Sequence, residues 1–347
     1  MDFDSVSEAE ELWYYDLHDL MRMAEERRRK SVGDVVTFVA NYNVNFTNVC
    51  TFRCPLCAFY RERNSRDAYF LSIERILREV AEAYALGATE IHIVGGLVPE
   101  LTIEYFEELF REIKRRWRKL TIKALTATEI SYIAKVNRSS VKEVLERLRE
   151  AGLDAMPGGG AEILNDEVLK VIAPAKRASE WLRVIETAHE LGIRTNATML
   201  YGHVEKPRHI VEHILKVRRL QERTGGFLTF IPLKFKPWNT KLYEEGLVRD
   251  EVSAIYDAKV IAISRILLHG FIDNISVYWV AYGKKYASAL LAFGGSDLVG
   301  TAFSEKIFNS ASPHDSYASL DELAHYARTS GRVPAQRDTF FNVIRYL

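Results

Sequence analysis

Short runs of β-branched residues alternate with long amphipathic segments from residue 35 to about residue 303. A helix-like segment follows each run, which is typical of parallel strands joined by crossover helices. Seven or eight such units predict an α/β fold, specifically a (β/α)8 TIM-type barrel or part of one, and about 250 residues is the usual length of that barrel. A doubly wound open sheet is the alternative that the same pattern allows.

Eight segments have strand composition, and the sequence between them has helical periodicity. The predicted strands are 35–46, 90–94, 120–125, 153–156, 194–200, 227–235, 275–279 and, less regularly, 298–303. A helix over 7–30 begins with acids and ends in a basic run, which suits the helix dipole. We therefore expect an N-terminal helical extension over 1–34, a barrel over 35–310 and a C-terminal helical extension over 311–347.

The charge balance limits the class of partner. Lys plus Arg and Asp plus Glu both number 47, so nucleic acid and anionic membranes are not expected as partners. The chain begins Met-Asp-Phe-Asp-Ser, which is acidic where a secretory signal is basic, and no apolar run approaches the length of a membrane span. We expect a cytoplasmic protein that acts on a small-molecule substrate.

Unusual residues follow five successive predicted strands. In a barrel, catalytic groups lie at the carboxyl ends of the strands, so these residues are expected to share one cavity. They are Cys50, Cys54 and Cys57 after the first strand, Gly95 and Gly96 after the second, Thr126 and Glu129 after the third, Gly158 to Gly160 with Glu162 after the fourth, and His203 with Glu205 after the fifth.

The chain has only three cysteines, and they form a Cys-x3-Cys-x2-Cys motif over residues 50–57. In a reducing compartment, clustered thiols indicate metal binding or catalysis rather than disulfides. Three thiolates on one loop suit three corners of a four-iron cluster, and they leave one iron open to a substrate or cofactor. The alternatives are a Cys3His zinc site with His92 or His203 as fourth ligand, and three inert buried thiols.

This loop after the first strand resembles that of the radical S-adenosylmethionine superfamily. The resemblance implies a [4Fe-4S] cluster held by Cys50, Cys54 and Cys57, with S-adenosylmethionine as cosubstrate on the open iron. One electron from the cluster would then split the sulfonium to give methionine and a 5'-deoxyadenosyl radical. The resemblance also implies a small electron donor such as a flavodoxin or ferredoxin.

The same resemblance suggests roles at the next three strand ends. Gly95 and Gly96 allow the backbone to approach a ligand closely, and in the superfamily this position receives the methionine amino group. Glu129 and Glu162 would accept hydrogen bonds from the ribose hydroxyls or the ammonium group. By their position alone, both acids could equally be helix N-terminal residues stabilised by the dipole.

Several longer strings resemble one group within the superfamily, which contains aminofutalosine synthase, cyclic dehypoxanthinyl futalosine synthase and the enzymes that build the deazaflavin chromophore. They lie at 45–50, 157–163, 196–205 and 224–227. The strings at 123–130, 196–203 and 230–233 most resemble aminofutalosine synthase. That resemblance implies a menaquinone-pathway enzyme that adds the deoxyadenosyl radical to 3-[(1-carboxyvinyl)oxy]benzoate and releases carboxylate to form 6-amino-6-deoxyfutalosine.

One departure from that group shifts the expected catalytic residues. Relatives carry His after Gly-Gly-Leu, where this chain has Val98. His203 with Glu205 is therefore expected to bind the substrate carboxylate or to move a proton during its loss. Lys234 and Lys236 could also bind a carboxylate, although exposed lysines at a strand end are the simpler interpretation.

Two other classes of function stay open at this stage. A sibling enzyme, either the futalosine cyclase or the tyrosine-dependent deazaflavin-precursor synthase, would abstract hydrogen and release free 5'-deoxyadenosine. Radical addition instead keeps the adenosyl group in the product. The second is a non-catalytic barrel with a structural metal clip.

Overall fold

The computed structural model describes residues 3–312 and 317–347. The strands are β1 (Val35–Val39), β2 (Asn41–Val44), β3 (Glu90–Ile93), β4 (Thr121–Ala124), β5 (Ala155–Met156), β6 (Arg194–Tyr201), β7 (Phe227–Lys234), β8 (Asp297–Gly300), β9 (Val333–Arg337) and β10 (Val343–Tyr346). The helices are α1 (Val6–Glu11), α2 (Leu17–Val32), α3 (Ile73–Ala85), α4 (Ile103–Arg116), α5 (Ala127–Val136), α6 (Val141–Ala151), α7 (Asp166–Ile172), α8 (Ala178–Glu190), α9 (Pro207–Thr224), α10 (Lys241–Glu244), α11 (Ala254–Leu268), α12 (Trp279–Tyr282), α13 (Lys284–Leu290), α14 (Ile307–Ala311) and α15 (Leu320–Thr329).

Strands β2 to β7 form one parallel sheet in which spatial order follows chain order. A doubly wound sheet reverses its strand order at a switch point, and these six strands do not, so the barrel prediction is confirmed as a partial barrel. Isolated parallel bridges extend the wall from β7 towards β2, joining Phe230 to Ile275, Ser276 to Asp297 and Tyr42 to Phe303.

Most crossover helices begin where the sequence supplies a capping side chain. Ser72, Thr102, Thr126, Ser140 and Ser253 each accept a hydrogen bond from a backbone N–H in the first turn of the following helix. Such caps satisfy donors that the helix itself leaves free. The apolar faces of these helices pack on the sheet and form one continuous core.

The first and seventh predicted strands differ from the structure. The predicted strand 35–46 breaks at Ala40, because β1 pairs with β8 and β9 whereas β2 pairs with β3. Predicted strand 275–279 makes only isolated bridges, and its last residue begins α12. Both segments pair with neighbouring strands as predicted, but the pairing breaks the first into two strands and reduces the second to isolated bridges.

The C-terminal extension, predicted to be helical, is partly strand. After α15 the chain forms β9, which pairs with β1 in parallel, and β10, which returns antiparallel to β9. The boundaries proposed at residues 34 and 310 stay predictions, and residues 1–2 and 313–316 of the two extensions lie outside the described part. Within that described part, no helix is both long and apolar enough to span a bilayer.

Candidate active site at the cysteine loop

A cavity of about 350 Å³ lies inside the barrel at the carboxyl ends of the strands. Seven of the nine predicted site residues line it, namely Cys50, Cys54, Cys57, Gly95, Gly96, Glu129 and Glu162. The remaining two, His203 and Glu205, do not appear among the described residues that line it. The barrel thus brings together the groups that follow its first four predicted strands.

The cysteine loop is fixed to its surroundings by backbone hydrogen bonds. The N–H of Cys50 donates to Arg61 O at 3.2 Å, and the N–H of Cys57 donates to Cys54 O at 2.9 Å. Thr51 N–H donates to Leu97 O at 2.9 Å, which ties the loop to the segment after β3. The three thiols therefore lie on one loop, at one end of the cavity, that these hydrogen bonds hold in place.

The thiols have the chemistry that an iron–sulfur cluster requires. Burial raises the pKa of Cys54 to about 12 and also raises the pKa of Cys57, so both stay protonated until a metal displaces the protons. Among the described residues, no three His, Cys, Asp or Glu side chains could hold a single metal ion. A cluster spreads its thiolates over several irons, so they need not converge on one point, and the three cysteines fit that donor set.

Gly96 lies against the cysteine loop and has no room for a side chain, whereas Gly95 lies against the Phe46 ring. A Cβ at Gly96 would stand 2.1 Å from Val49 O and 3.1 Å from Cys50 Cβ. Gly96 N–H donates to Thr47 O at 2.8 Å, which brings the two loops into contact. At Gly96 the structure shows a close approach to the cysteine loop, and the predicted approach of this turn to a ligand stays a prediction.

Glu129 is both a helix cap and a cavity residue. It forms the capping box of α5 with Thr126, and its Oε1 accepts the N–H of Gly95 at 2.9 Å. Burial raises the pKa of Glu129 to about 7, although hydrogen bonds from Thr126 and Gly95 oppose the rise. The two interpretations of Glu129 are thus compatible, because one carboxylate caps the helix and faces the cavity.

Glu162 forms an ion pair that the sequence did not predict. Lys176, in the loop after α7, lies 2.5 Å from Glu162 Oε1, and both side chains are largely buried in the cavity wall. Glu162 adopts a φ of 47°, a backbone conformation that non-glycine residues seldom adopt. Burial would lower the pKa of Lys176, but Glu162 and the nearby cysteines raise it overall, so a buried ammonium lies beside the thiols.

His203 and Glu205, predicted to contact substrate, instead brace the loop after β6. Glu205 accepts the N–H groups of Gly202 and His203 at 2.7 and 2.8 Å and the hydroxyl of Tyr256 at 3.1 Å. His203 Nε2 donates to Leu200 O at 3.1 Å, and both side chains are at most 1% exposed. Their polar atoms are used within the loop, so the structure does not support substrate contact.

This network predicts a pH-dependent contribution to stability. Burial alone would raise the pKa of Glu205, but the hydrogen bond and charge of His203 and two N–H groups lower it to about 2. A carboxyl whose folded pKa is lowered stabilises the fold above its unfolded pKa, near 4.5, and loses that contribution as the pH falls towards 2. We expect Glu205→Gln to lower the free energy of unfolding at pH 7 by about 3 kcal/mol.

Urea denaturation of wild type and Glu205→Gln tests this expectation. The difference in unfolding free energy should shrink as the pH falls below about 4.5. A variant as stable as wild type at pH 7 would show that the carboxylate contributes no net stabilisation there.

Polar side chains inside the barrel form a part of the site that was not predicted from the residues at the strand ends. Asn43, His92 and Lys123 line the cavity from β2, β3 and β4, and Asn196 lines it from β6. A signal was present, because Asn alternates with apolar residues over 41–45, whereas strands buried on both faces are usually apolar throughout. Period-two polarity in a buried strand indicates a polar cavity on one face.

Lys234 and Lys236, expected to be exposed, are both 7% exposed. Lys234 contacts Asp257 and Glu251 at 2.9 Å each, and Lys236 contacts Glu251 at 2.7 Å. A buried ammonium requires such partners. Of the two, Lys236 lines the cavity and Lys234 does not appear among its described lining residues.

Comparison with known proteins decides the family. The sequence profile of the Radical SAM superfamily matches residues 44–217, half of the chain, including the cysteine loop and the strand ends around the cavity. The chain belongs to the radical SAM superfamily. Radical SAM enzymes use a [4Fe-4S] cluster and S-adenosylmethionine, and a second profile, the CofH/MqnC C-terminal region, matches residues 224–345.

Similar proteins of known name are transferases. A protein of Methanothermobacter thermautotrophicus named 5-amino-6-(D-ribitylamino)uracil–L-tyrosine 4-hydroxyphenyl transferase is 43% identical over 331 residues, covering 95% of this chain and 90% of the relative. A Methanocaldococcus jannaschii protein of the same name is 38% identical over 333 residues, covering 94% and 93%. The chain is accordingly a transferase of the radical SAM type.

Solved structures share the fold of this radical SAM chain. Methylornithine synthase (PylB) superposes with a TM-score of 0.74 at 16% identity, covering 96% of this chain and 94% of that one. The hydrogenase maturase HydG from Carboxydothermus hydrogenoformans gives 0.75 at 20% identity, covering 97% and 77%.

These comparisons overturn one sequence prediction. Relatives at about 40% identity over most of the chain are named uracil–tyrosine transferases, so the aminofutalosine synthase assignment is wrong. The predicted place in menaquinone synthesis by the futalosine pathway is likewise unsupported. The string at 123–130 that favoured it contains the α5 cap, formed by Thr126 and Glu129. A cap of this kind serves the barrel itself and does not distinguish substrates.

Proposed function

We propose that this chain transfers the 4-hydroxyphenyl group of L-tyrosine to 5-amino-6-(D-ribitylamino)uracil, the activity in its relatives' names. The observation that carries the choice between sibling reactions is the charge of the cavity. Among the described residues that line it, all three lysines are paired with a carboxylate. The pairs are Lys123 with Glu90 at 2.6 Å, Lys176 with Glu162 at 2.5 Å and Lys236 with Glu251 at 2.7 Å.

Paired cations suit a neutral substrate better than a dianion. The enolpyruvyl benzoate carries two carboxylates, and a buried carboxylate without an unshared cation costs several kcal/mol. Ribitylaminouracil carries no charged group, only hydroxyls, carbonyls and N–H groups, and L-tyrosine is a zwitterion without net charge. Asn43, His92 and Asn196 supply neutral donors and acceptors for such groups.

Within this proposal, Cys50, Cys54 and Cys57 hold the cluster, and Gly95, Gly96, Glu129 and Glu162 lie where they can hold the cosubstrate. When bound, the cluster and S-adenosylmethionine supply a 5'-deoxyadenosyl radical by one-electron cleavage. Glu129 can accept a hydrogen bond from an ammonium or hydroxyl group. The Glu162–Lys176 pair offers an acceptor and a donor in one place.

The remaining task of the chain is to orient substrate and exclude water. A carbon radical reacts with any nearby C–H, so the reacting group must lie closer than any side chain. Leu200, Leu233 and Phe235 give the cavity an apolar wall. Phe52 and Tyr278 also line it and offer ring faces for a hydroxyphenyl group.

Incubation of the reconstituted protein under anaerobic conditions tests the proposal. With S-adenosylmethionine, reductant, tyrosine and ribitylaminouracil, we expect free 5'-deoxyadenosine in amounts that depend on tyrosine. The enolpyruvyl benzoate in place of these two substrates should give neither turnover nor an adenosylated product. Consumption of the benzoate with the adenosyl group retained would contradict the proposal. A flavodoxin-like or ferredoxin-like electron donor and a cytoplasmic location stay predictions.

A further inference from the structure

We infer that Asn43, His92 and Lys123 bind the pyrimidinedione ring of the acceptor substrate, and that Glu90 and Thr339 position Lys123 for this contact. The inference deepens the proposed function and rests on it, since that function supplies the uracil. It concerns three side chains on adjacent strands, here called the polar row. The chemical class that the row fits is a neutral ring with both carbonyl and N–H groups.

Strand register places the polar row side by side. Asn43 is paired with His92 between β2 and β3, and His92 is paired with Lys123 between β3 and β4. Residues in register on neighbouring strands point to the same face, and the strands lie about 4.8 Å apart. All three side chains line the cavity, so the row spans roughly 10 Å of its wall, enough for a substituted pyrimidine.

Each member of the row keeps unused hydrogen-bonding capacity. Lys123 has three N–H donors, and its only described ion pair is with Glu90. The amide nitrogen of Asn43 donates to Phe303 O at 3.2 Å, which leaves its side-chain oxygen as an acceptor. No described residue hydrogen-bonds the ring of His92. The row can therefore donate to a ring carbonyl through Lys123, accept an N–H through Asn43 and do either at His92.

Together with Glu90, the polar row carries no net charge at neutral pH. Burial lowers the pKa of His92 to about 4, and the positive charge of Lys123 adds to this effect. The imidazole is therefore neutral and has one donor and one acceptor. Lys123 is balanced by Glu90, which is fully buried. A neutral row favours a neutral ring over a carboxylate, since an anion would find no unshared cation there.

The segment after β9 holds the polar row in place through Glu90. Thr339, 3% exposed, donates its hydroxyl to Glu90 Oε2 at 2.8 Å, while Glu90 Oε1 contacts Lys123. Thr339 follows β9, whose Arg337 binds Asp297 at 2.6 Å and so fixes this segment to the barrel. Thr339 does not line the cavity among the described residues and acts through Glu90, which makes it a positioning residue.

Two variants test the polar row directly. Lys123→Met combined with Glu90→Gln removes the ammonium without leaving an unpaired buried carboxylate, and His92→Leu removes the imidazole. We expect each to raise the KM for ribitylaminouracil about tenfold or more, the effect of one or two lost hydrogen bonds. The KM for tyrosine should stay within about twofold. Equilibrium binding of ribitylaminouracil, measured by anaerobic calorimetry, should weaken in parallel.

The positioning role has a matched pair of variants. Thr339→Val removes the hydroxyl at nearly constant volume, whereas Thr339→Ser keeps the hydroxyl. We expect the valine variant to raise the KM for ribitylaminouracil about threefold to tenfold with little change in kcat. The serine variant should have the KM of wild type. A purely structural role would lower the thermal midpoint and leave KM unchanged.

The outcomes separate the two claims. Wild-type protein that neither binds ribitylaminouracil nor turns it over contradicts the proposed function. Wild-type turnover with an unchanged KM for ribitylaminouracil in both row variants overturns the inference alone. Lys30→Met, in the exposed Lys30–Glu26 pair of α2, serves as the control and should behave as wild type.

Discussion

Replacing Cys54 by serine is expected to remove most of the iron and sulfide from the reconstituted protein and to reduce S-adenosylmethionine cleavage at least about 100-fold. Loss of partners that only orient metal ligands costs about 10-fold to 100-fold, and the loss of a proposed ligand should cost no less. A serine hydroxyl does not ionise as a buried thiol does on metal binding. The measurements are iron and sulfide content and the rate of 5'-deoxyadenosine release.

Two controls make the Cys54→Ser result specific. Thr51→Ser changes an exposed side chain in the same loop and should keep the cluster. The far-ultraviolet circular dichroism of Cys54→Ser should match that of wild-type protein without cluster, because serine fits the space of the thiol. Wild-type iron content in the variant would show that Cys54 is not a ligand.

The Gly96→Ala variant is expected to lose the cluster site by displacing the loop that carries it. Its Cβ would stand 2.1 Å from Val49 O, and a backbone oxygen cannot rotate away as a side chain can. Either the cysteine loop or the segment after β3 must therefore move. We expect destabilisation of about 3 kcal/mol, at the upper end for overpacking, and a large loss of reconstituted iron.

Gly95→Ala is the matched neighbour of Gly96→Ala. Its Cβ would meet the tip of the Phe46 ring at 2.9 Å, and a ring can shift by a few tenths of an ångström. Its losses of stability and iron should be clearly smaller. If both alanine variants reconstitute equally well, close contact at Gly96 does not hold the cysteine loop in place.

The sequence was sufficient for the features that depend on local pattern. Alternating strands and helices predicted the barrel, and the spacing of Cys50, Cys54 and Cys57 predicted their common loop. Gly96 and Glu129 line the same cavity as the cysteines because barrel topology brings successive strand ends together, and their contact with a cosubstrate stays a prediction.

Features set by side-chain direction were not predictable in this way. His203 and Glu205 follow a strand as the other site residues do, yet their side chains turn into the loop, where two N–H groups and the Tyr256 hydroxyl need an acceptor. Nothing in their spacing distinguishes that arrangement from a substrate contact. The Lys176–Glu162 pair was missed because Lys176 lies in a loop whose sequence contains no recognisable motif.

The aminofutalosine assignment was overturned by the named relatives, and the proposed neutral substrate is supported by charge pairing that only the tertiary structure reveals. Lys123 and Glu90 belong to different strands, and the Thr339 that supports Glu90 lies about 250 residues away in the chain. Local strings cannot show that the cavity lysines are already paired. This pairing is what makes the proposed neutral substrate compatible with a cavity that contains lysines.

The transfer itself is the most direct test of the proposed reaction. The anaerobic incubation would contain L-tyrosine labelled with ¹³C in its ring. Its products would be separated by chromatography and identified by mass spectrometry. The account predicts a product in which the labelled ring is joined to ribitylaminouracil, with unlabelled 5'-deoxyadenosine released separately. Release of 5'-deoxyadenosine without any labelled uracil product, or an adenosyl group found within the product, would contradict it.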